Sequence, residues 1–294
     1  MTSVAVVAHR EKLTKSTAGD LKSALAIAGL GDSLWLEVAK GSAAESAARE
    51  AIKDGAETII VCGGDGTVRA AAAAVADTET ALAVVPAGTA NLFATGLDLP
   101  SKPQEIVELI IRGDRRTIDT GVCNGLRFAV MGGTGLDAAM IAQADDQKDS
   151  LGTWAYVKAG VKEARTSKSA KAKITVDGSL FFEGDVTCVL VGNLGRLKGG
   201  FIAFPDASPT DGVLDVAVLT ASGLREWASV MVSAVRHKQD TSSHVHIGSG
   251  TKIKVRLAKK QPFELDGGSK GRTRKLDFRA APSSLIVCAP VTAS

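Results

Sequence analysis

The stretch Val61-Cys62-Gly63-Gly64-Asp65-Gly66-Thr67-Val68 joins an apolar run to an alanine-rich run through three glycines. The preceding residues 57–61 include β-branched apolar side chains, which are typical of a strand buried on both faces. The following residues 68–76 are nearly all good helix formers, and Thr67 is the predicted N-cap. A strand, a glycine turn and a helix start bring backbone N–H groups together, so this stretch predicts a phosphate-binding turn.

Asp65 is the carboxylate of this turn. A carboxylate repels phosphate, so its presence is best explained by a divalent cation, Mg²⁺ carried with a nucleotide, lying between the two. The alternatives, that Asp65 faces solvent or caps the helix, stay open from the sequence.

Length and composition restrict the class of protein. The 294 residues suit one large or two ordinary globular domains, with 45% hydrophobic and 23% charged residues. No apolar run approaches the roughly 20 residues that span a bilayer, and the N-terminal residues lack a signal-peptide pattern. We therefore expect a cytoplasmic protein, with peripheral attachment to the inner face of a membrane left open.

Net charge, aromatic content and cysteine spacing restrict the ligands that we expect the protein to bind. A net charge of +3 and 4% aromatic residues argue against a nucleic-acid partner. No two of the four cysteines form a C-x-x-C pair, so buried reduced thiols are expected and a zinc site is not: Cys62, Cys123, Cys188 and Cys288.

The first part of the chain alternates strand and helix patterns. Strand-like runs at 4–8, 34–38, 57–61 and 81–85 are separated by predicted helices at 21–28, 43–53 and 68–76. This alternation predicts a parallel sheet covered by helices, in which ligands collect at the carboxyl ends of the strands.

A second glycine turn follows the strand at 81–85, in Pro86-Ala87-Gly88-Thr89-Ala90-Asn91-Leu92-Phe93-Ala94. Gly88 permits the bend, and Thr89 and Asn91 place short polar side chains at a helix start. Helix capping alone is the alternative reading. Two such turns on neighbouring strands can hold one nucleotide between them.

These two turns, in this order, resemble the catalytic domain of the diacylglycerol kinase family, which includes bacterial lipid kinases and sphingosine and ceramide kinases. The first turn is shared with NAD kinases, whereas the second resembles the lipid-kinase version. The likeness continues through Gly132-Gly133-Thr134-Gly135-Leu136-Asp137-Ala138 and through residues 205–215. It implies an α/β plus all-β fold: an N-terminal Rossmann-like parallel α/β domain and a C-terminal β-sandwich, NAD kinase/diacylglycerol kinase-like.

We expect the nucleotide-binding domain to cover residues 1–122 and the β-sandwich domain residues 123–294. The last strand is a candidate to return to the first domain, as in relatives. Asp177-Gly178 predicts a hairpin turn. Strand-like runs of the second part lie at 128–130, 172–176, 185–191, 214–219, 251–257, 275–278 and 285–289.

A mostly helical insertion is predicted at 137–164, where Trp154 and Tyr156 lie near basic residues. It rests on a membrane surface or forms a solvated helix face, and both readings stay open. The same two readings apply to Lys168, Lys171 and Lys173 and to the cluster at 270–275.

The resemblance implies ATP and Mg²⁺ as ligands, with Asp65 helping to hold Mg²⁺ at the phosphates. It places a second, structural Mg²⁺ at Asp211 and the carbonyls of Ser208 and Val213, where an ordinary β-turn is the alternative. The implied ATP-binding residues are Gly63, Gly64, Asp65, Gly66, Thr67, Val68, Arg69, Ala70, Gly88, Thr89 and Asn91.

The chain departs from the family where an Asp-Gly-Glu sequence supplies the general base. Here the sequence is Glu264-Leu265-Asp266-Gly267-Gly268, and Gly268 cannot accept a proton. In an extended segment, positions 264, 266 and 268 share one face, so we expect Glu264 or Asp266 to substitute, or the activity to be weak or altered.

The sequence thus predicts an ATP-dependent lipid kinase that transfers the γ-phosphoryl group to diacylglycerol or a related lipid at a membrane surface. One alternative is a nucleotide- and lipid-binding protein whose kinase activity is weakened or lost. Another is a kinase of a soluble substrate, like NAD kinase. A homodimer is left open.

Overall fold

The computed structural model describes residues 3–135, 169–196, 203–221, 226 and 244–290. By backbone packing the chain divides into two units. The first comprises Met1–Asp119 together with Pro282–Ser294, and the second comprises Thr120–Ala281.

A parallel sheet of four strands lies at the centre of the first unit. The strands are β1 (Val4–His9), β2 (Leu34–Val38), β3 (Thr58–Gly63) and β4 (Ala81–Pro86), and their order in the sheet is β2-β1-β3-β4. Strands β1, β3 and β4 are buried almost throughout, which explains why the sequence shows them as unbroken apolar runs.

Five α-helices and a 3₁₀ turn at Gly41–Ala43 accompany this sheet in the described part of the unit. The predicted helix at 21–28 begins earlier, at Lys15, because the Thr14 hydroxyl accepts the N–H of Thr17 and caps it. The helices are α1 (Lys15–Ile27), α2 (Ala44–Lys53), α3 (Asp65–Val75), α4 (Leu92–Gly96) and α5 (Pro103–Arg112).

The N-cap predicted for α3 is wrong. The helix begins at Asp65, so Thr67 lies inside its first turn, where it is buried. Gly64 occupies the cap position, and its carbonyl accepts the N–H groups of Thr67 and Val68. The glycine turn is therefore tighter than the sequence pattern indicated.

Antiparallel strands build the second unit around one core that includes Val189, Val216, Val255 and Phe278. For the described residues, the β-rich second part that the sequence predicted is confirmed. Its complete strands are β6 (Leu126–Phe128), β7 (Met131–Thr134), β8 (Ala170–Val176), β9 (Ser179–Val186), β10 (Cys188–Gly192), β11 (Leu214–Leu219), β12 (Val245–Gly250) and β13 (Lys252–Leu265).

Two strands carry the chain between the units: β5 (Arg115–Cys123) and β14 (Gly268–Cys288). Within the first unit, Ile286 of β14 pairs in parallel with Ala81 of β4. The runs predicted at 275–278 and 285–289 are parts of this one strand. Half-exposed strands alternate polar and apolar residues, so the sequence showed only their most apolar pieces and missed β5 and β12. The sequence also missed β7, which is buried but contains Gly132 and Gly133, and the run predicted at 128–130 overlaps β6 only at Phe128.

The hairpin predicted at Asp177-Gly178 is confirmed. The two residues join β8 to β9 with φ values of 49° and 90°, as a type I′ turn requires. All four cysteines are buried and free, also as predicted. The insertion predicted at 137–164 lies outside the described residues. Among the described helices, none has the length and apolar character to cross a bilayer.

Candidate active site

The two glycine turns follow neighbouring strands, β3 and β4, and their backbones touch. A β-carbon placed on Gly88 would lie 2.5 Å from the Cα of Gly64, and one placed on Gly64 would lie 3.1 Å from the Cα of Gly88. No side chain at position 88 fits at the first distance. The turns therefore form one structure at the carboxyl edge of the sheet, as the sequence predicted.

Asn91 fixes the shape of the second turn. Its Oδ1 accepts the N–H of Gly88 at 2.8 Å, and its Nδ2 donates to the carbonyl of Gly88 at 3.0 Å. Its φ of 48° is one that asparagine tolerates better than most residues. Asn91 occupies the cap position of α4 but makes no side-chain cap bond, so helix capping does not explain it. Thr89 lies exposed in the same turn.

Asp65 joins the first turn to the second. Its Oδ1 accepts the N–H of Leu92, in the first turn of α4, at 2.5 Å. Burial raises the pKa of Asp65, and the N–H groups of Leu92, Asp65 itself, Phe93 and Asn91 partly offset this rise. The carboxylate thus caps the helix of the other turn, and a cation is not needed to explain its presence.

Arg69 lies one helical turn after Asp65, on the same face of α3. Its Nε is buried and has no hydrogen-bond partner. A buried donor without an acceptor is costly, and a phosphate oxygen is a matching acceptor for a guanidinium group. Among the predicted ATP-binding residues, Arg69 therefore has a buried hydrogen-bond donor without an acceptor, and a phosphate oxygen would supply one.

The other predicted ATP-binding residues of the first turn are either packed within the fold or open to solvent. Val68 and Ala70 are buried in α3, and Gly63 is needed for packing because a β-carbon there would lie 2.6 Å from the Cβ of Thr67. Gly66 is exposed, with open space around its Cα. The glycine turns, the start of α3 and the orphaned Nε of Arg69 together fit a bound phosphate group.

The loop predicted to hold a structural Mg²⁺ forms a hydrogen-bonded turn. Asp211 Oδ1 accepts the N–H of Val213 at 3.1 Å, and the hydroxyls of Ser208 and Thr210 are 3.2 Å apart. Burial, and then the charges of Asp211 and Asp206, raise the pKa of Asp215 to about 6. This negative potential favours a cation, but within the described ranges no three His, Cys, Asp or Glu side chains converge on a metal position.

Residues 264–268 are not extended, so the expectation that 264, 266 and 268 share one face is wrong. Asp266 and Gly267 form the two-residue turn between β13 and β14, with φ values of 47° and 70°. Leu265 pairs with Gly268 across this turn, and Glu264 pairs with Ser269. Paired residues share a face, so Glu264 lies on the face opposite Gly268.

Asp266 has a structural role that the sequence did not reveal. It is 3% exposed, and its carboxylate accepts the N–H groups of Ala129, Val130 and Met131 at 2.9, 2.9 and 3.0 Å. Its own N–H donates to the carbonyl of Met131. An Asp-Gly turn needs no such partner, so the local pattern held no signal for it. Neither predicted substitute, Glu264 or Asp266, occupies the position of the missing side chain.

The site thus belongs to a chain with a parallel α/β unit that carries paired glycine turns and with a second unit of antiparallel strands. Residues 11–123 match the diacylglycerol kinase catalytic domain, and residues 130–289 match the YegS C-terminal NAD kinase beta sandwich-like domain. The chain belongs to the diacylglycerol kinase family, and the predicted fold class is confirmed.

Similar sequences and a similar crystal structure support this family assignment. A diacylglycerol kinase of Bacillus subtilis is 32% identical over 229 residues, which cover 76% of this chain and 75% of that protein. An uncharacterized protein of Synechocystis is 31% identical over 81% of this chain, which spans 56% of that relative's length. The crystal structure of a diacylglycerol kinase from Bacillus anthracis superposes with a TM-score of 0.77 at 23% identity, covering 98% of this chain and 96% of that one, which shows a shared fold.

Proposed function

We propose that this chain is an ATP-dependent lipid kinase that phosphorylates a hydroxyl of diacylglycerol or a related lipid at the inner face of a membrane. The observation that carries the proposal is the contact between Gly64 and Gly88, which joins the two glycine turns. The buried Nε of Arg69, which has no hydrogen-bond partner and belongs to the helix that follows the first turn, supports the proposal. Membership of the family and the name of the Bacillus subtilis relative support the substrate class.

In the proposed reaction, the lipid hydroxyl oxygen bonds to the γ-phosphorus as the bond from that phosphorus to the β–γ bridging oxygen breaks. ADP leaves, and the hydroxyl proton must pass to an acceptor. The N–H groups of the turns and Arg69 would orient the phosphates and balance their charge. Mg²⁺ would neutralise charge on the β- and γ-phosphates, and Asp211 with the carbonyls of Ser208 and Val213 would hold a second Mg²⁺ that is otherwise hydrated.

A specific observation favours weakened transfer as the second candidate. Gly268 offers no proton acceptor, Asp266 is fully engaged by three N–H groups, and Glu264 lies on the other face of the hairpin. The hydroxyl proton would then pass to water, and the transfer would be slow.

Replacing Gly88 by alanine is expected to weaken ATP binding about tenfold to a hundredfold, because the new β-carbon forces the two turns apart and costs one or two phosphate hydrogen bonds. Isothermal titration calorimetry with Mg²⁺-ATP measures the change. Gly19→Ala is the matched control, since Gly19 lies in α1 with no atom within 4 Å of an added β-carbon. Equal affinity for ATP in the Gly88 variant and the wild type would show that the two turns do not bind ATP.

The proposed activity is tested by incubating the chain with γ-labelled ATP and a total lipid extract in neutral detergent micelles. We expect a labelled lipid that depends on the chain and is lost when EDTA removes Mg²⁺. A parallel reaction with NAD distinguishes the soluble-substrate kinase. Label in NADP with none in lipid would reject the proposal.

A further inference from the structure

One face of the second unit is covered by basic side chains. In β8, in residues 252–257 of β13 and in residues 275–280 of β14, every second residue points away from the core, and most of these outward positions hold Lys or Arg. The exposed cations are Lys171, Lys173, Lys252, Lys254, Lys275 and Arg279. We call these residues, together with Arg256, the basic face.

The strand register brings these cations side by side. Arg256 of β13 pairs with Lys173 of β8 and with Lys275 of β14, and Lys252 pairs with Arg279. Neighbouring strands lie about 5 Å apart, so the charges form a flat patch three strands wide.

Carboxylates offset only part of this charge. Glu183 lies 3.3 Å from Lys173, and Asp277 lies 2.6 Å from Arg256. Asp185 of β9 is paired with Lys171, but neither Lys171 nor any other remaining cation of the basic face forms a salt bridge across the described strands. With a net charge of only +3 for the whole chain, this face concentrates positive charge that other surfaces balance.

An apolar side chain borders the same face. Leu180 of β9 is 59% exposed and pairs with Thr175 of β8, which points outward like Lys173. Cations beside an exposed leucine match the boundary between lipid headgroups and acyl chains. No outward position of β8 or β13, or of β14 between Lys275 and Arg279, holds an aromatic ring on which a nucleic-acid base could stack.

We propose that the basic face docks this chain on an anionic lipid bilayer. The inference rests on the proposed function only in taking the anionic surface to be a bilayer. Docking on this face would keep the enzyme at the membrane between turnovers, so it adds a means of membrane attachment to the proposed substrate class.

The test is cosedimentation of the full chain, without ATP, with vesicles of phosphatidylcholine alone or mixed with phosphatidylglycerol. We expect binding to the mixed vesicles alone, and weakening by salt. The combined variant Lys171→Gln, Lys254→Gln, Lys275→Gln should bind about a hundredfold more weakly, because each cation near an anionic surface contributes about fivefold.

A control variant with the same loss of charge elsewhere, Lys22→Gln, Lys53→Gln, Lys102→Gln, should bind like the wild type. Leu180→Ser, which changes no charge, should also weaken binding. Wild-type binding by the basic-face variant, or equal losses in both triple variants, would overturn the proposal. So would tighter binding to duplex DNA than to the mixed vesicles, with the same loss in the basic-face variant.

Failure of docking can be told apart from failure of the kinase. In neutral detergent micelles that contain diacylglycerol as the only lipid, the basic-face variant should match the turnover of the wild type, because no anionic surface is present. Vesicle binding without any lipid phosphorylation would reject the kinase and leave the docking surface standing.

Discussion

Replacing Gly268 by glutamate is expected to raise the rate of lipid phosphorylation about a hundredfold or more, the usual contribution of a positioned general base. The position can accept the side chain. A β-carbon on Gly268 would lie 3.4 Å from the carbonyl oxygen of Leu265 and 3.7 Å from Nζ of Lys270, which are ordinary contact distances. Gly268 is also absent from the positive-φ glycines, so the backbone imposes no strain.

Gly268→Gln is the matched control, since glutamine has the same shape but accepts no proton at neutral pH. Turnover of the glutamate, glutamine and wild-type chains is compared at saturating ATP in diacylglycerol micelles. Equal gains in the glutamate and glutamine variants would show that packing limits the rate. If a folded glutamate variant shows no gain in rate, a general base does not act from position 268.

Replacing Asp266 by asparagine is expected to lower the free energy of unfolding by about 2–4 kcal/mol, because buried charge-assisted hydrogen bonds are lost. Three backbone N–H groups share its carboxylate, and an amide NH₂ facing one of them has no partner there. Asparagine tolerates the φ of 47°, so the substitution tests the hydrogen bonds and not the turn. Urea unfolding of the two chains measures the difference.

Asp177→Asn is the control, because Asp177 occupies the same place in the other Asp-Gly hairpin. The Asp177 carboxylate accepts hydrogen bonds from Thr251 and Lys252 on the exposed surface. The hydrogen bond from the Thr251 hydroxyl is the main cause that lowers the pKa of Asp177. The loss there should be a small fraction of that at Asp266. If Asp266→Asn instead kept full stability and abolished turnover, Asp266 would act as the general base and not as a structural acceptor of the three backbone N–H groups.

The strands that meet at the site could be predicted from the sequence because they are short, apolar and buried on both faces. Strands were therefore predicted at 57–61 and 81–85 without tertiary information, and the structure has them at Thr58–Gly63 and Ala81–Pro86. The glycines that follow the predicted runs marked both turns. The partner of Asp65 could not be predicted, since it depends on how the two turns pack against each other. The bonds of Asn91 to Gly88 lie within one turn, but the sequence equally allowed Asn91 to cap the helix that follows.

The expectation that residues 264, 266 and 268 share one face was wrong for a related reason. Period-two reasoning holds only inside one strand, and the Asp-Gly pair that was itself a turn signal reverses the chain between positions 265 and 268. The sequence showed the basic face only in part, because β8 lies far before the hairpin of β13 and β14 and the register that aligns their cations is not readable from the sequence. The alternation of Lys252, Lys254 and Arg256 was the local signal that could have indicated it.

Phosphorus NMR of a stoichiometric mixture of the wild-type chain, Mg²⁺-ATP and diacylglycerol micelles tests the kinase most directly, since it detects even a slow single turnover. We predict that the γ-phosphate signal of ATP declines as a lipid phosphomonoester signal rises in equal amount, faster with Gly268→Glu. Loss of the γ-phosphate to free phosphate alone, or unchanged ATP in both chains, would contradict a lipid kinase.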